Sequence, residues 1–173
     1  MSIVIRPARG EDVAAIDALL VATFPAPSEA MLVRDLCVAG DMVLMMVAEA
    51  ADGALAGAIA FSRMAVEVAG QAVPSVALAP LAVARDWRRQ GVAEALVHAG
   101  IERLEDEGIV LCFVLGEPDY YARFGFDATW ARSFDSPYAG DYFMALPLQG
   151  GLMPCGVRGR ADHAPAFAQL GAS

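Results

Sequence analysis

Residues 78–104 read LAPLAVARDWRRQGVAEALVHAGIERL, and this stretch decides the fold. It predicts an apolar strand that passes through a basic turn directly into a long helix. We place the helix over residues 91–106, because apolar and charged residues repeat there on opposite faces. The first turn of a helix leaves backbone N–H groups without intrahelical partners, and the helix dipole adds partial positive charge there. The turn before the helix is therefore predicted to bind an anion, and a diphosphate fits it well.

The side chains of this turn favour the same interpretation. Gly91 has no Cβ, so a phosphate can approach its backbone, and the small side chain of Ala93 leaves the same opening. Arg88 and Arg89 add positive charge in a chain whose formal net charge is −9. The alternative is an ordinary helix cap with two solvated arginines.

Pro80 interrupts the apolar strand that precedes the turn. Proline cannot donate to a sheet ladder, so it marks either a bulge or an edge. A bulge would free N–H and C=O groups of Leu81, Ala82 and Val83 to pair with an extended ligand that carries amides, as another strand would. The alternative is an edge strand with a kink.

The composition predicts one globular domain and argues against several classes of function. A chain of 173 residues with 57% hydrophobic and 19% charged residues can bury a core without a partner. The acidic balance, with a pI near 4.5, would repel a nucleic acid backbone. The longest uncharged stretch, residues 68–84, contains two prolines, so we expect no membrane span and, without a signal sequence, a cytoplasmic protein. Three scattered cysteines and two histidines predict no metal site.

The rest of the chain predicts one mixed sheet flanked by helices. Two helices should follow the first strand, the second of them with an apolar stripe of Leu32, Val33, Leu36 and Cys37. Asp52 and Gly53 predict a hairpin turn. A strand, helix and strand crossover in the middle of the chain adds a parallel pair, so the fold class is α/β with parallel and antiparallel strands. The strands are expected at residues 2–6, 42–48, 54–66, 74–84, 109–115 and 141–146, and a short helix at 118–123.

Two motifs resemble those of the GNAT superfamily of N-acetyltransferases. Arg88-Arg89-Gln90-Gly91-Val92-Ala93 is similar to the Q/R-x-x-G-x-G/A signature by which these enzymes hold the coenzyme A pyrophosphate, and residues 121–126, YARFGF, are similar to their Y-x-x-x-G-F segment. The resemblance implies acetyl-CoA as the acyl donor and a GNAT-like fold. It also implies that the strand before the turn contacts pantetheine. The cofactor-binding residues are then Leu81, Ala82, Val83, Arg88, Arg89, Gln90, Gly91, Val92 and Ala93.

The same resemblance suggests a proton donor. Acyl transfer from a thioester needs a proton for the departing thiolate, and the family pattern puts the Tyr121 phenol beside the sulfur. Tyr120 is the second candidate. Without the family context, the alternative is that both rings pack in the interior while their hydroxyls face water. The resemblance assigns the oxyanion donor to the backbone N–H near Val83.

The general base and the acceptor are left open. Three carboxylates are plausible bases: Glu67, Glu117 and Asp119. The alternative for each is a solvated surface carboxylate without a catalytic role. Many family members carry an asparagine after the strand at 109–115, where this chain has Gly116 or Glu117. The acceptor pocket is expected to involve residues 23–28 and the late strands.

The sequence therefore predicts an acetyl-CoA-dependent N-acetyltransferase, without a metal, that acts on a primary amine of a small molecule or peptide. Residues 1–148 are expected to form the GNAT domain, and residues 149–173 a loosely packed or partly disordered extension. A non-catalytic acyl-CoA sensor and an interaction protein that uses the apolar tail remain alternative hypotheses. The sequence also leaves open whether the protein is a monomer or a homodimer.

Overall fold

The computed structural model describes residues 2–169, and the chain divides into two compact units. Within the described residues, the first unit contains residues 2–61, 79–100 and 165–169, and the second contains residues 62–78 and 101–164. The strands are β1 Ile3–Pro7, β2 Met42–Ala50, β3 Leu55–Val68, β4 Gln71–Ala72, β5 Ser75–Val83, β6 Leu111–Leu115, β7 Phe143–Pro147 and β8 Arg158–His163. The helices are α1 Val13–Thr23, α2 Ser28–Ala39, α3 Val92–Asp106, α4 Pro118–Tyr121 and α5 Ala128–Ala131. Short 3-10 turns lie at Gly10–Asp12, Arg85–Trp87, Ala122–Phe124 and Pro165–Gln169.

The predicted mixed sheet is confirmed. Eight strands belong to it, with β5 and β6 parallel while β1 and β2, and also β6 and β7, run antiparallel. Each of the six predicted strands is present within about two residues of its expected bounds, as is the long helix that follows the basic turn. None of the described helices is long and apolar enough to cross a membrane.

The first unit packs α1 and α2 against β2 and β3. Its core includes Ile16, Leu19, Leu20, Ala30, Val33, Val47, Ala58 and Ala82, all buried. Cys37 was predicted to belong to the apolar stripe of α2, but the buried stripe ends at Leu36 and Cys37 is exposed. Successive side chains of a helix point about 100° apart around its axis, so Cys37 points away from the core. Gly40 ends α2 in the left-handed conformation, with φ of 77°.

An ion cluster ties the start of α1 to the strands of the first unit. The Arg6 guanidinium donates to the Asp12 carboxylate at 2.8 and 2.9 Å and to Glu49 at 2.6 Å, and the Arg9 N–H also reaches Asp12 at 2.7 Å. These hydrogen bonds, led by Arg6, lower the pKa of Asp12 to about 2. The carboxylate therefore stays ionised although its side chain is buried.

The second unit is built on β6 and on the C-terminal half of β3. The β5–β6 register runs from Ser75↔Leu111 to Leu78↔Val114. Phe113 of β6 stacks on Phe143 of β7 at 5.3 Å between ring centroids and meets Phe134 edge-on at 5.4 Å. All three rings are buried and form an aromatic core.

The segment after Leu148 has more regular structure than its sequence predicts. Residues 158–163 form β8, which pairs antiparallel with β3 through Met64↔His163, Ala65↔Asp162 and Val66↔Ala161. The sequence did not indicate this strand, because glycines flank it and its residues show no long periodic pattern. Its stability comes from pairing with β3 rather than from local propensity. Residues 170–173 of the predicted extension lie outside the described residues, and the domain boundary at 148 stays a prediction.

Candidate functional site

The predicted anion-binding turn lies in the first unit, between β5 and α3. The Ala84 N–H donates to the Ala56 carbonyl at 2.8 Å, and the chain then passes through the 3-10 turn at Arg85–Trp87. Arg89 has a φ of 62° and Gly91 a φ of 80°, so both are in the left-handed region. Two left-handed residues within three positions turn the backbone abruptly into α3, and this conformation costs a non-glycine residue about 1–2 kcal/mol.

The first turn of α3 has the features that an anion site needs. Ala95 donates its N–H to the Gly91 carbonyl at 3.0 Å, the first bond of the helical ladder. The N–H groups of Val92 and Ala93 come before this ladder, where the N–H groups of a helix have no intrahelical carbonyl to pair with. A Cβ built on Gly91 would meet no protein atom within 4 Å. The space in front of this backbone is open, as a site for a phosphate must be.

Gly57 of β3 determines how closely α3 approaches the sheet of the first unit. A Cβ at Gly57 would lie 2.9 Å from the Ala82 carbonyl oxygen, 2.9 Å from Leu96 Cδ1 and 3.0 Å from Val92 Cγ1. A glycine is therefore required for the first two turns of α3 to pack where they do. Gly57 was not among the predicted site residues, although an isolated glycine in an apolar strand indicates a close approach of another backbone or side chain.

The polar side chains of the turn are exposed, and two of them also support its backbone. The Gln90 amide donates to the Asp86 carbonyl at 2.9 Å, and Arg88 Nε donates to the Val83 carbonyl at 3.4 Å. Arg85 is a third exposed arginine of this turn and lies outside the predicted motif at residues 88–93. The turn thus has three arginines and one aspartate within residues 85–89.

The strand that leads into the turn changes its pairing near Pro80. The register of β5 with β6 ends at Leu78, whereas β5 itself continues to Val83. Ala82 is buried, while Leu81 and Val83 are half-buried. The hydrogen-bond ladder between β5 and β6 thus stops two residues before Pro80. This agrees with the lack of an N–H donor in proline.

Tyr121 lies in the second unit, at the end of the four-residue helix α4. Its ring is half-buried and meets the rings of Tyr120, Phe124 and Phe126 at centroid distances of 5.0, 6.4 and 5.8 Å. Burial, together with the neighbouring Tyr120 and Cys112, raises the pKa of the Tyr121 phenol to about 12. The hydroxyl therefore keeps its proton throughout the physiological pH range, as a proton donor must.

Gly116, which with Glu117 is one of the two candidates for the position of the family's asparagine, lies close to the Tyr121 ring. A Cβ at this position would lie 2.6 Å from Cε2 and 3.1 Å from Cδ2 of the Tyr121 ring. An asparagine here would displace the Tyr121 ring from its observed position.

Tyr120 has different contacts. The Arg123 guanidinium carbon lies 4.5 Å from the centre of the Tyr120 ring, and Arg123 Nε donates to the Tyr120 carbonyl at 2.9 Å. This cation–π contact stabilises the short helical segment. Tyr120 thus packs against a charged group, whereas the ring contacts of Tyr121 are with aromatic residues.

The other candidates lack the surroundings of a catalytic group. Glu67, Glu117 and Asp119 are exposed, as is His98 of α3. Cys112 is fully buried, and burial raises the pKa of its thiol far above the ordinary value. It is a core residue, as expected from its place in β6.

A cavity of about 920 Å³ lies in the first unit, between α1, α2 and the beginning of β2. Its wall is mainly apolar and includes Ile16, Val33 and Met45, with the exposed ion pair of Arg34 and Asp17 among its lining residues. Residues 23–28, which were expected at the acceptor pocket, do not line this cavity.

Comparisons with known proteins agree with the geometry. A family model described as an acetyltransferase (GNAT) domain matches residues 4–129. The uncharacterized N-acetyltransferase YhbS of Escherichia coli strain K12 is 41% identical over 116 residues, which are 67% of this chain and 68% of that protein. The crystal structure of E. coli YhbS in complex with CoA superposes with a TM-score of 0.87 at 33% identity, over 96% of this chain and 92% of that one. A GNAT family acetyltransferase from Brucella melitensis in complex with acetyl-CoA gives a TM-score of 0.77 at 27% identity, over 96% and 98% of the two chains.

Proposed function

The chain belongs to the GNAT family of N-acetyltransferases, and we propose that it transfers the acetyl group of acetyl-CoA to a primary amine by direct attack in a ternary complex. The acceptor is a small molecule or a peptide that carries the amine. No covalent enzyme intermediate is needed, because the amine itself attacks the thioester.

The observation that carries the proposal is the beginning of α3. Its first N–H groups come before Ala95, whose N–H makes the first hydrogen bond of the helix. Gly91 is adjacent to them, has a left-handed conformation and has open space where a Cβ would lie. Such a helix start binds phosphate oxygens through backbone donors and the helix dipole. The two similar structures described above hold CoA and acetyl-CoA, which supports this choice of anion.

The residues of the turn divide the binding of the donor between them. The backbone of Gln90, Gly91, Val92 and Ala93 would hold the diphosphate, and the exposed Arg88 and Arg89 would add positive charge. Leu81, Ala82 and Val83 would pair with the amides of pantetheine as an added strand does, since the β6 ladder has ended at Leu78. The Val83 N–H would stabilise the oxyanion of the tetrahedral intermediate.

Tyr121 would donate the proton that the leaving thiolate takes up. Its raised pKa, about 12, keeps the phenol protonated, and Gly116 leaves room for the ring. Because an ordinary thiol has a pKa of about 8.5, transfer from this phenol to a free thiolate is uphill, so the proton would move as the carbon–sulfur bond breaks.

Two measurements test the proposal. Isothermal titration should detect binding of acetyl-CoA, and thiol release over a panel of primary amines should identify an acceptor. An absence of acetyl-CoA binding would overturn the assignment of the donor. Tight binding without acetyl transfer to any amine would instead identify an acyl-CoA-binding module.

A further inference from the structure

We propose that the cavity of the first unit, between α1, α2 and the beginning of β2, is a second ligand site that binds an uncharged aliphatic molecule. Such a site is additional to those of the acyl donor and the amine, and it does not depend on the proposed acetyl transfer. The size of the cavity and the chemistry of its wall lead to this assignment.

The cavity is too large to be a packing defect. Its volume is about 920 Å³, whereas protein interiors contain few voids larger than a water molecule. Pockets that hold small organic ligands have volumes of about 300–1,000 Å³. A ligand that fills the cavity would supply the dispersion contacts that its small lining residues leave unmade. These small residues are Ala8, Gly10, Ala14 and Ala30.

The uncharged part of the wall favours an aliphatic ligand. Ile16, Leu20 and Val33 line the cavity and also belong to the buried core of the first unit. Met42 and Met45 of β2 add two thioether side chains, which are flexible and adapt to the shape of a bound chain. None of the described residues that line the cavity is aromatic, so the wall offers no ring on which a planar ligand could stack.

The charged residues of the wall favour a ligand without a charge. The Arg34 guanidinium lies 2.9 Å from the Asp17 carboxylate, and the Arg9 guanidinium lies 3.3 Å from that of Glu11. These four side chains are partly exposed, so the two ion pairs lie at the mouth of the cavity. An ionic head group of either sign would meet a like charge beside each opposite one. An uncharged ligand leaves both pairs intact.

The cavity is distinct from the proposed acyl-donor site. Among the residues that the structure describes, its wall contains none from residues 81–93 and none from residues 23–28. Val13 and Val38 also line the cavity, and both are exposed, which extends the apolar surface to its mouth. A ligand in the cavity should therefore bind without displacing acetyl-CoA.

The first measurement is isothermal titration of the wild-type protein with three probes of one chain length: 1-octanol, octanoate and octylammonium. We expect saturable binding of 1-octanol and about 10-fold weaker binding of the two ions, because each ion would lose hydration without gaining an unpaired counter-charge. 1-Hexanol should bind roughly 10- to 20-fold more weakly than 1-octanol, since each buried methylene group contributes about fourfold to affinity.

Two substitutions on α1 test whether 1-octanol binds in the cavity. Ala14→Trp adds an indole to the wall, and a ring that displaces two methylene groups of the ligand should lower its affinity about 10-fold. Ala15→Trp is the matched control, because Ala15 is an exposed neighbour on the same helix and does not line the cavity. Its affinity should equal that of the wild type.

Cys37 provides a readout that leaves the wall unchanged. Cys37 lines the cavity and is exposed, Cys155 is exposed but does not line it, and Cys112 is buried. In a Cys155→Ser protein, 1-octanol should slow the reaction of Cys37 with N-ethylmaleimide. In the matched Cys37→Ser protein, 1-octanol should leave the reaction of Cys155 unchanged.

The outcomes divide as follows. Binding of 1-octanol that Ala14→Trp weakens, or that protects Cys37, would support the site. Absence of saturable binding, or binding that Ala14→Trp leaves unchanged and that does not protect Cys37, would overturn it. Competition between 1-octanol and acetyl-CoA, or tighter binding of either ion, would also overturn it. A wild-type dimer in sedimentation that Ala14→Trp dissociates would instead assign the cavity to a second copy of the chain.

Discussion

The turn before α3 and the segment around Tyr121 both depend on a glycine, but for opposite reasons. Gly91 has a φ of 80° and open space where a Cβ would lie, so its backbone conformation and a ligand require it. Gly116 has no such φ, but a Cβ there would lie 2.6 Å from the Tyr121 ring. The first glycine serves the proposed binding of the donor, and the second serves the position of one side chain. Substitutions at the two sites should therefore separate binding from proton transfer.

The largest effect is expected from Tyr121→Phe, which removes only the hydroxyl. We expect kcat to fall roughly 100- to 1000-fold, as for the loss of a general acid, while the Kd for acetyl-CoA stays within about twofold. Because the phenol is protonated below its pKa of about 12, the wild-type rate should show no loss of this proton donor between about pH 8 and 10. Thiol release and isothermal titration measure the two quantities, and an unchanged kcat would remove Tyr121 from the acid role.

Gly91→Ala should weaken donor binding. The methyl group forces an L side chain into a left-handed conformation, which costs about 1–2 kcal/mol, and it faces the space proposed for the phosphates. We expect the Kd for acetyl-CoA to rise about 10-fold or more. Gly53→Ala is the matched control, since Gly53 has a φ of 88° and equally open surroundings in the β2–β3 hairpin. Equal losses of affinity in both variants would show that backbone strain alone accounts for the effect.

Gly116→Ala should produce the opposite pattern. The new methyl group must push the Tyr121 ring aside, so we expect kcat to fall about 10-fold while the Kd for acetyl-CoA is unchanged. The control is Gly10→Ala, where a Cβ would meet nothing within 4 Å. A change in the Kd with a normal kcat would contradict the division of roles between the two glycines.

Gly57→Ala should have the smallest effect on function and a clear effect on stability. The methyl group would overlap the Ala82 carbonyl and Leu96, each 2.9 Å away, so the free energy of unfolding should fall by about 1–3 kcal/mol. Because α3 must move outward, the Kd for acetyl-CoA should rise a few-fold at temperatures where the variant is folded. Urea denaturation measures the first quantity and titration the second, and a fully stable variant would contradict the close packing of α3 on β3.

Local patterns in the sequence were enough to predict the turn, α3 and most strands. The 3.6-residue period of α3 and the apolar runs of β2, β3 and β5 are signals that a stretch of 10 to 15 residues contains. The sequence did not predict β4 and α5, which have only two and four residues, or β8, whose stability comes from pairing with β3. The same period placed Cys37 on the buried stripe of α2, but Leu36 is the last buried residue of the helix and Cys37 is exposed.

The order of elements and the proposed anion site are determined by the sequence, because they depend on backbone hydrogen bonding and on the spacing of residues close along the chain. The roles proposed for Gly116 and Gly57 came only from the tertiary structure. Gly116 is required by the nearby Tyr121 ring, and Gly57 by the nearby Leu96 side chain, and in each case another element or turn brings that side chain close. No local pattern encodes such a distance, since it is fixed by how the elements pack rather than by which elements form.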